Sequence, residues 1–212
     1  MPRAARVSPD QILAAAALEF AERGFAGARV DRIARRARVN KAMLYYHFKS
    51  KQQLYRTLLR RSFTLAGARL QTIAAGNAAP ADKVRDAIAA FASLVREHAF
   101  LPSMMLREVA DAGAHLDRET LAALAGVPRA FAAIVAEGVA SGEFRDVNPL
   151  AAYFTIIAPV IFFHASAPIR QQLGAMHLMP PGAPVSNDFV RHVQESVHRA
   201  FAPDRPHKRS PR

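Results

Sequence analysis

The stretch ARVDRIARRARVNKAMLYYHFKSKQQL, residues 28–54, decides the fold of this chain. It holds two short runs of apolar residues at helical spacing, one within residues 30–37 and one within residues 44–48. Asn40 stands before the second run and is a good N-cap, because its side chain can accept a hydrogen bond from the first helical turn. Helices this short are marginal alone, so we expect both to pack against neighbouring helices.

The flanking residues predict those neighbours. Upstream, Ser8 is a suitable cap for a helix that carries an apolar stripe over residues 12–20 and ends at Gly24. Downstream, Ser50 caps a much longer helix with leucines at helical spacing. The pattern therefore predicts a compact three-helix unit within residues 8–48.

Two short helices joined by a tight turn form a helix-turn-helix, whose second helix lies in the DNA major groove. Leu44 and Phe48 would anchor its inner face. Lys41 can reach a base acceptor or a phosphate, and Ala42 is small enough for close approach to a base. Tyrosine, histidine and lysine side chains suit phosphate oxygens. The candidates for that role are Tyr45, Tyr46, His47 and Lys51.

The distribution of charge supports a polyanion as the partner. Residues 1–62 hold 14 Lys and Arg against 4 Asp and Glu, whereas residues 63–201 hold 11 against 12. A basic N-terminal third on a neutral body is typical of a nucleic-acid-binding module attached to another domain. A basic face that is merely solvated is the alternative, although the neutral body argues against a general basic bias.

The segments ILAAAALEFAERGF (residues 12–25) and VDRIARRARVNKAMLYYHFKSKQQLY (residues 30–55) resemble the DNA-binding domain of the tetracycline-repressor (TetR) family. The resemblance covers about residues 9–58 and depends above all on LYYHFKSK. It implies an all-helical dimer with a DNA-binding head on each subunit and a ligand pocket in the body. Carried to matching positions, the family's DNA contacts are Val30, Asn40, Lys41, Ala42, Tyr45, Tyr46, His47 and Lys51.

Three departures from the family pattern leave the base preference open. Arg38 stands where glycine is common, so either it adopts an unusual conformation or the turn is built differently. Ala28 and Arg29 replace a threonine and a serine, which removes a hydroxyl cap and adds a charge that can contact phosphate. Ala42 replaces a frequent glycine.

The rest of the chain also favours helix, and we expect an all-α fold without strands. Helices are predicted at residues 81–98, 102–112, 117–141, 149–165 and 187–201. The predicted organisation is a helix-turn-helix domain over residues 1–50, a helical effector-binding and dimerisation domain over 51–201, and a disordered basic tail over 202–212.

Residues 147–169 contain no formal charge and are long enough to span a membrane. Three prolines and several polar residues interrupt them, so a helix buried at a subunit interface is the better interpretation. The resemblance implies that this helix and the last one of each subunit form the dimer interface. The residues predicted for it are Phe154, Ile157, Ile161, Phe189, Val193 and Val197.

Large, soft side chains are frequent in residues 91–163 and suit a hydrophobic effector pocket, because methionine adapts to variable shapes. Simple core packing is the alternative for each of them. The candidates are Phe91, Met104, Met105, Phe131, Phe154 and Phe162.

Several classes of function lack support in the sequence. Cysteine is absent, the eight histidines show no paired ligand spacing, and no catalytic motif or signal peptide is present. We expect no metal, no cofactor and no enzymatic activity. The predicted function is a cytoplasmic repressor that binds a palindromic operator as a homodimer and is released by an apolar effector. The alternative is a non-specific architectural DNA-binding protein without an effector.

Overall fold

A computed structural model describes residues 8–179 and 185–203, and all regular structure in these residues is α-helical, as predicted. The chain forms two compact units. The first contains Met1–Leu65 and Glu97–Leu124, and the second contains Ala66–Arg96 and Ala125–Arg212. Most of the predicted tail, residues 204–212, lies outside the described residues.

The helices follow one another along the chain with short connections. They are α1 (Pro9–Gly27), α2 (Val30–Arg36), α3 (Lys41–Phe48), α4 (Lys51–Ala74), α5 (Pro80–Glu97), α6 (Leu101–Ala110), α7 (Arg118–Leu124), α8 (Gly126–Ala140), α9 (Pro149–Ala165), α10 (Ala167–Ala175) and α11 (Ser186–Phe201).

The predicted caps and core residues hold the first three helices together. The Ser8 hydroxyl accepts a hydrogen bond from the Asp10 amide at 3.2 Å, at the start of α1. The inward side chains of α1, α2 and α3 are excluded from solvent, and those fully buried include Ile12, Phe20, Ile33 and Leu44. Burial of this shared apolar core stabilises two helices that are too short to be stable alone.

Gly24 interrupts the regular helical geometry of α1, at the residue where the sequence predicts its end. Its φ of +67° is a conformation that glycine adopts without steric cost. A Cβ atom at this position would also lie 2.8 Å from Nη1 of Arg107. The backbone conformation therefore favours glycine here, whereas the Arg107 side chain is flexible enough to move away from a Cβ atom.

Two boundaries in the body differ from the prediction. The predicted helix over residues 117–141 is interrupted at Ala125, between α7 and α8. Pro128 lies in the first turn of α8, where its missing N–H removes a hydrogen bond of a continuous helix. Helix α10 was not predicted, because Pro168 was interpreted as a breaker although proline is well tolerated in a first turn.

The second unit has its own apolar core. Helices α8 and α9 pack against each other through fully buried residues such as Phe131, Ile134 and Val160. The Lys83 side chain is also buried, and its ammonium contacts the Glu137 carboxylate at 2.7 and 2.8 Å. A buried ammonium requires such a partner, because its desolvation is otherwise uncompensated.

The predicted domain boundary and the compact units are not the same division. Helices α6 and α7 belong to the first unit, together with α1, α2 and α3, and α4 contributes residues to both units. The boundary at residue 50 concerns a domain that folds independently, and it stays a prediction.

By length and apolar composition, residues 118–140 would be able to cross a membrane, and so would α9 and α10 taken together. The latter two helices meet at an angle of 50°. Apolar core helices of soluble proteins have the same composition, and α8 and α9 pack against each other in the core of the second unit.

Candidate nucleic-acid interface

The turn between α2 and α3 is closed by a left-handed residue, as in a helix C-cap of the Schellman type. Arg38 has a φ of +54°, and the Val39 amide donates to the Ala34 carbonyl at 2.9 Å. The Gln11 side chain of α1 donates to the Ala37 carbonyl at 2.9 Å and satisfies another group of this turn. Arg38 therefore adopts the conformation that glycine usually provides, at a cost of about 1 kcal/mol.

The start of α3 has the predicted cap. The Asn40 side chain accepts a hydrogen bond from the Met43 amide at 2.7 Å. Leu44 and Phe48 are buried on the inner face, so the opposite face of α3 is free to contact a partner. Because its Oδ1 atom is occupied by the cap, Asn40 has its side-chain amide group left for a DNA contact.

The outward face of α3 presents two tyrosines and a histidine. Tyr46 is 72% exposed and Tyr45 is exposed to a smaller extent. The His47 ring lies edge-on to the Tyr46 ring, with 5.2 Å between their centroids. The Lys49 ammonium donates to the Tyr46 carbonyl at 3.1 Å and lies 5.6 Å from the centre of its ring. Ala42 is exposed in the first turn of the same helix.

Lys41 forms an ion pair that the sequence analysis did not predict. Its Nζ atom lies 2.9 Å from Oδ1 of Asp31 in the first turn of α2, and both side chains are about half exposed. This hydrogen bond and the opposite charge of Lys41 lower the pKa of Asp31, and Asp31 in turn raises the pKa of Lys41. The sequence contains a signal for an ion pair of Asp31 with a nearby basic residue, because Asp31 is the sole acidic residue between Glu22 and Asp82.

A side chain of α1 contacts the residue that precedes α2. The buried Glu19 carboxylate accepts a hydrogen bond from the Arg29 amide at 3.3 Å and lies 4.0 Å from the Arg32 guanidinium. Glu19 therefore satisfies the amide of the N-cap residue, but it does not take the place of the lost hydroxyl, which would accept from the first turn of α2. The Arg29 side chain is exposed and Val30 is half-buried, so both remain candidates for DNA contact.

The Lys51 ammonium contacts the end of α1. It donates to the Phe25 carbonyl at 2.8 Å and to the Ala28 carbonyl at 3.2 Å, and it lies 4.6 Å from the centre of the Phe25 ring. These contacts hold the connection between α1 and α2, and the phosphate contact of Lys51 stays a prediction.

The predicted pocket residues divide between the two compact units and differ in exposure. Phe154 and Phe162 are 58% and 67% exposed on the outer face of α9, so their place in a pocket stays a prediction. Phe131 is fully buried and packs against Tyr153, with 6.4 Å between ring centroids. Phe91 is buried. The remaining two, Met104 and Met105, belong to the first unit and not to the second.

A groove in the second unit involves none of these residues. It lies between α5 and α11, has a volume of about 350 Å³ and opens to solvent. The apolar side chains that line it include Val84, Phe144, Val197 and Phe201. The sequence does not predict this groove, because its walls come from helices that are distant in the chain.

The predicted dimer residues divide into two groups. Ile157, Val193 and Val197 are buried within the second unit, so they contribute to its core and are not available to a partner. The Phe189 ring stacks on Phe163 of the same unit at 4.0 Å. Phe154 is exposed and Ile161 is half-exposed, which leaves these two as candidates.

Comparisons with known proteins place these features in a context. The family model of bacterial regulatory proteins of the tetR family matches residues 12–58. The chain is 30% identical over 162 residues to the HTH-type transcriptional repressor NicS of Pseudomonas putida, a match that covers 74% of this chain and 75% of NicS.

Solved structures share the fold at lower identity. A putative fatty acid metabolism regulator of Clostridium perfringens matches 92% of this chain and all of its own, with a TM-score of 0.73 and 18% identity. The regulator FadR of Bacillus subtilis, solved in complex with stearoyl-CoA, also matches 92% of this chain and all of its own, with a TM-score of 0.71 and 19% identity.

Proposed function

This chain belongs to the TetR family of bacterial transcriptional regulators, and on that premise we propose that it is a ligand-responsive repressor. The protein binds a palindromic operator as a homodimer and releases it when a small, apolar effector binds. Its operator is bacterial DNA, so the proposal implies a cytoplasmic location.

The observation that carries the proposal is the build of α3. A capped helix with two buried anchors, Leu44 and Phe48, turns Lys41 and the exposed Tyr46 away from the core. An N-terminal helix turn aimed at DNA also directs its partial positive charge at the phosphates. These features support α3 as the helix that enters the major groove.

The outer face of α9 supports a homodimer. Leu150, Phe154 and Phe162 are 60%, 58% and 67% exposed, and their spacing of four and eight residues aligns them on one side of the helix. Ala158 lies between them on the same side. A row of large apolar side chains of this kind marks an interaction surface, and a two-fold axis would pair it with the same row of a second copy.

The effector proposal follows from family membership, since regulators of this family act through small ligands. The stearoyl-CoA bound by FadR has an apolar acyl chain, which makes fatty acyl groups the first class of apolar ligand to test. Release of DNA requires that the effector bind more tightly to a conformation of the dimer in which the two DNA-binding domains do not match the half-sites of the operator than to the conformation that binds DNA. Helix α4 contributes to both units and is the candidate for transmitting the change.

Selection of bound fragments from the source genome tests the function directly. We expect an inverted-repeat operator. The protein should bind it at least about 1000-fold more tightly than random DNA at the same salt concentration, which is the ratio typical of sequence-specific regulators. Tyr46→Ala should abolish the preference, whereas the control Leu18→Ala, an exposed residue of α1, should keep it. Equal affinity for all sequences would favour the architectural alternative.

The effector is tested separately, by melting temperature and by operator release in the presence of stearoyl-CoA and shorter acyl-CoA species. A ligand that binds the folded protein raises its melting temperature by mass action. If a panel of apolar ligands changes neither property, the effector part of the proposal is wrong while the operator part still stands.

A further inference from the structure

Asp31 is an acidic side chain in the most basic part of the molecule. It is the sole Asp or Glu between Glu22 and Asp82, a stretch that contains 13 Lys and Arg. Its Oδ1 atom lies 2.9 Å from Nζ of Lys41, the first residue of α3, and the two side chains are 52% and 54% exposed. An exposed ion pair of this kind contributes little to folding stability, so a role in contacting DNA explains it better.

We propose that Asp31 and Lys41 act as one unit that reads a G·C base pair in each half-site of the operator. Lys41 donates hydrogen bonds to guanine, and the Asp31 carboxylate accepts one from the amino group of the paired cytosine. This inference rests on the proposed function, because it requires α3 to enter the major groove of a specific site.

The spacing of the pair matches the edge of a G·C base pair. In the major groove, guanine O6 is an acceptor and the cytosine amino group beside it is a donor, and the two atoms are themselves hydrogen-bonded at about 2.9 Å. The protein presents the complementary order, because the Lys41 ammonium is a donor and lies 2.9 Å from the Asp31 carboxylate, which is an acceptor. Each of the two groups can form further hydrogen bonds while the ion pair is kept, since an ammonium has three N–H groups and a carboxylate has several lone pairs.

The same chemistry favours G·C over A·T. Guanine offers Lys41 two adjacent acceptors, O6 and N7, whereas thymine offers one acceptor next to a bulky methyl group. Aspartate is a suitable acceptor for the cytosine amino group. The ion pair also holds Lys41 in one direction before DNA binds, so less rotamer freedom of its long side chain is lost on binding.

A second consequence concerns DNA without the correct base pair. If Lys41 moved to a phosphate, the Asp31 carboxylate would be left without its partner beside the negatively charged backbone. Its other close charges are Arg29, which precedes α2, and Arg35 of α2. Asp31 therefore lowers the affinity for random DNA and increases the ratio between specific and non-specific binding.

The test is selection from a random DNA pool with the full-length wild type, Asp31→Ala and Asp31→Asn. Wild type should enrich a G·C pair at one position of each half-site. Asp31→Ala should reduce that preference about tenfold, as expected for one base contact, and should raise the affinity for random DNA. Asp31→Asn, which keeps the shape of the side chain, should shift the preference toward A·T, because asparagine pairs with adenine.

Glu22→Ala is the matched control. Glu22 forms an exposed ion pair with Arg36 at 3.1 Å and its loss changes the net charge equally, but it lies on α1. We expect it to retain the G·C preference of wild type. An unchanged preference in both Asp31 variants, or a wild-type operator without a fixed G·C position, would overturn the inference. A wild type that selects no sequence would instead refute the proposed function.

Discussion

The Tyr55 hydroxyl of α4 donates a 2.7 Å hydrogen bond to Oε1 of Glu108 in α6, and both side chains are buried. Nδ1 of His115 lies 2.9 Å from the same oxygen. The Tyr55 ring also packs edge-on against Phe20 of α1, with 4.8 Å between centroids. One side chain therefore connects α1, α4 and α6 within the first unit.

Loss of the Tyr55 hydroxyl should destabilise the protein. The second carboxylate oxygen of Glu108 has no hydrogen-bond partner among the described residues, so the carboxylate depends on Tyr55 and His115. We expect Tyr55→Phe to lower the free energy of unfolding by about 1–3 kcal/mol, the range for a hydrogen bond to a charged group. Chemical denaturation measures this. A similar loss in Tyr153→Phe, whose ring packs in the second unit, would contradict the assignment.

The same tyrosine predicts a loss of stability at high pH. Burial, followed by the hydrogen bond to Glu108, raises the pKa of Tyr55 well above its ordinary value of 10.0. In the unfolded chain this group ionises near its ordinary value, whereas in the folded protein it stays protonated. Its contribution is therefore fully present below pH 10 and is lost as the pH rises further. Denaturation curves of wild type and Tyr55→Phe should converge above pH 10, and a constant difference would argue against this cause.

Arg38→Gly should stabilise the turn between α2 and α3. The residue has a φ of +54°, which glycine adopts without the steric cost that a side chain incurs. We expect a gain of about 1 kcal/mol in the free energy of unfolding, which corresponds to a rise of roughly 2–4 °C in melting temperature. The control Arg35→Gly lies inside α2 and should destabilise by about 1 kcal/mol. Stabilisation by both variants would point to charge as the cause.

Removal of the Lys51 charge should affect folding before it affects DNA. Lys51→Met keeps most of the aliphatic stem but leaves the Phe25 and Ala28 carbonyls without their donor. We expect a loss of about 1–2 kcal/mol in stability and weaker binding to every DNA sequence, since the connection before α2 is loosened. Lys49→Met, an exposed neighbour, is the control for charge. Normal stability together with a lower salt dependence would support the phosphate role.

An acidic substitution on the outer face of α9 should prevent dimerisation. Phe154 is largely exposed in the isolated subunit, so Phe154→Asp leaves its core intact, whereas a carboxylate at the centre of an apolar interface would be desolvated without a partner. Sedimentation should show a monomer with normal helicity and weak operator binding. Leu121→Asp, at an exposed apolar position of α7, should remain a dimer. A dimeric Phe154→Asp variant would move the interface elsewhere.

Much of the DNA-binding unit was predictable because its signals are local. The Asn40 cap, the inward anchors Leu44 and Phe48, and the break at Gly24 each follow from a few neighbouring residues and from helical spacing. Exposure of Tyr46 follows from the same spacing, because a helix that buries Leu44 and Phe48 turns its opposite face outward.

The sequence is less informative about side chains whose partner is distant in the chain. An apolar stripe predicts that a helix face is buried, but it does not indicate which element buries it. The stripe with Val193 and Val197 therefore predicts a contact with a second subunit, although their own unit buries both side chains. The reverse holds for Phe154 and Phe162, which lie exposed in the isolated subunit. Similarly, the charge of Lys51 predicts an anion partner as readily as the carbonyls that it contacts.

The all-helical class, the cap of α3 and the residues on the two faces of α3 follow from the amino-acid sequence, because hydrogen bonds and packing within a few residues decide them. Which charges meet and which apolar faces stay open follows only from the packing of the helices. The Asp31–Lys41 pair depends on the turn at Arg38, and the Tyr55–Glu108 bond joins residues 53 positions apart. Such contacts depend on how helices pack, which no local pattern specifies.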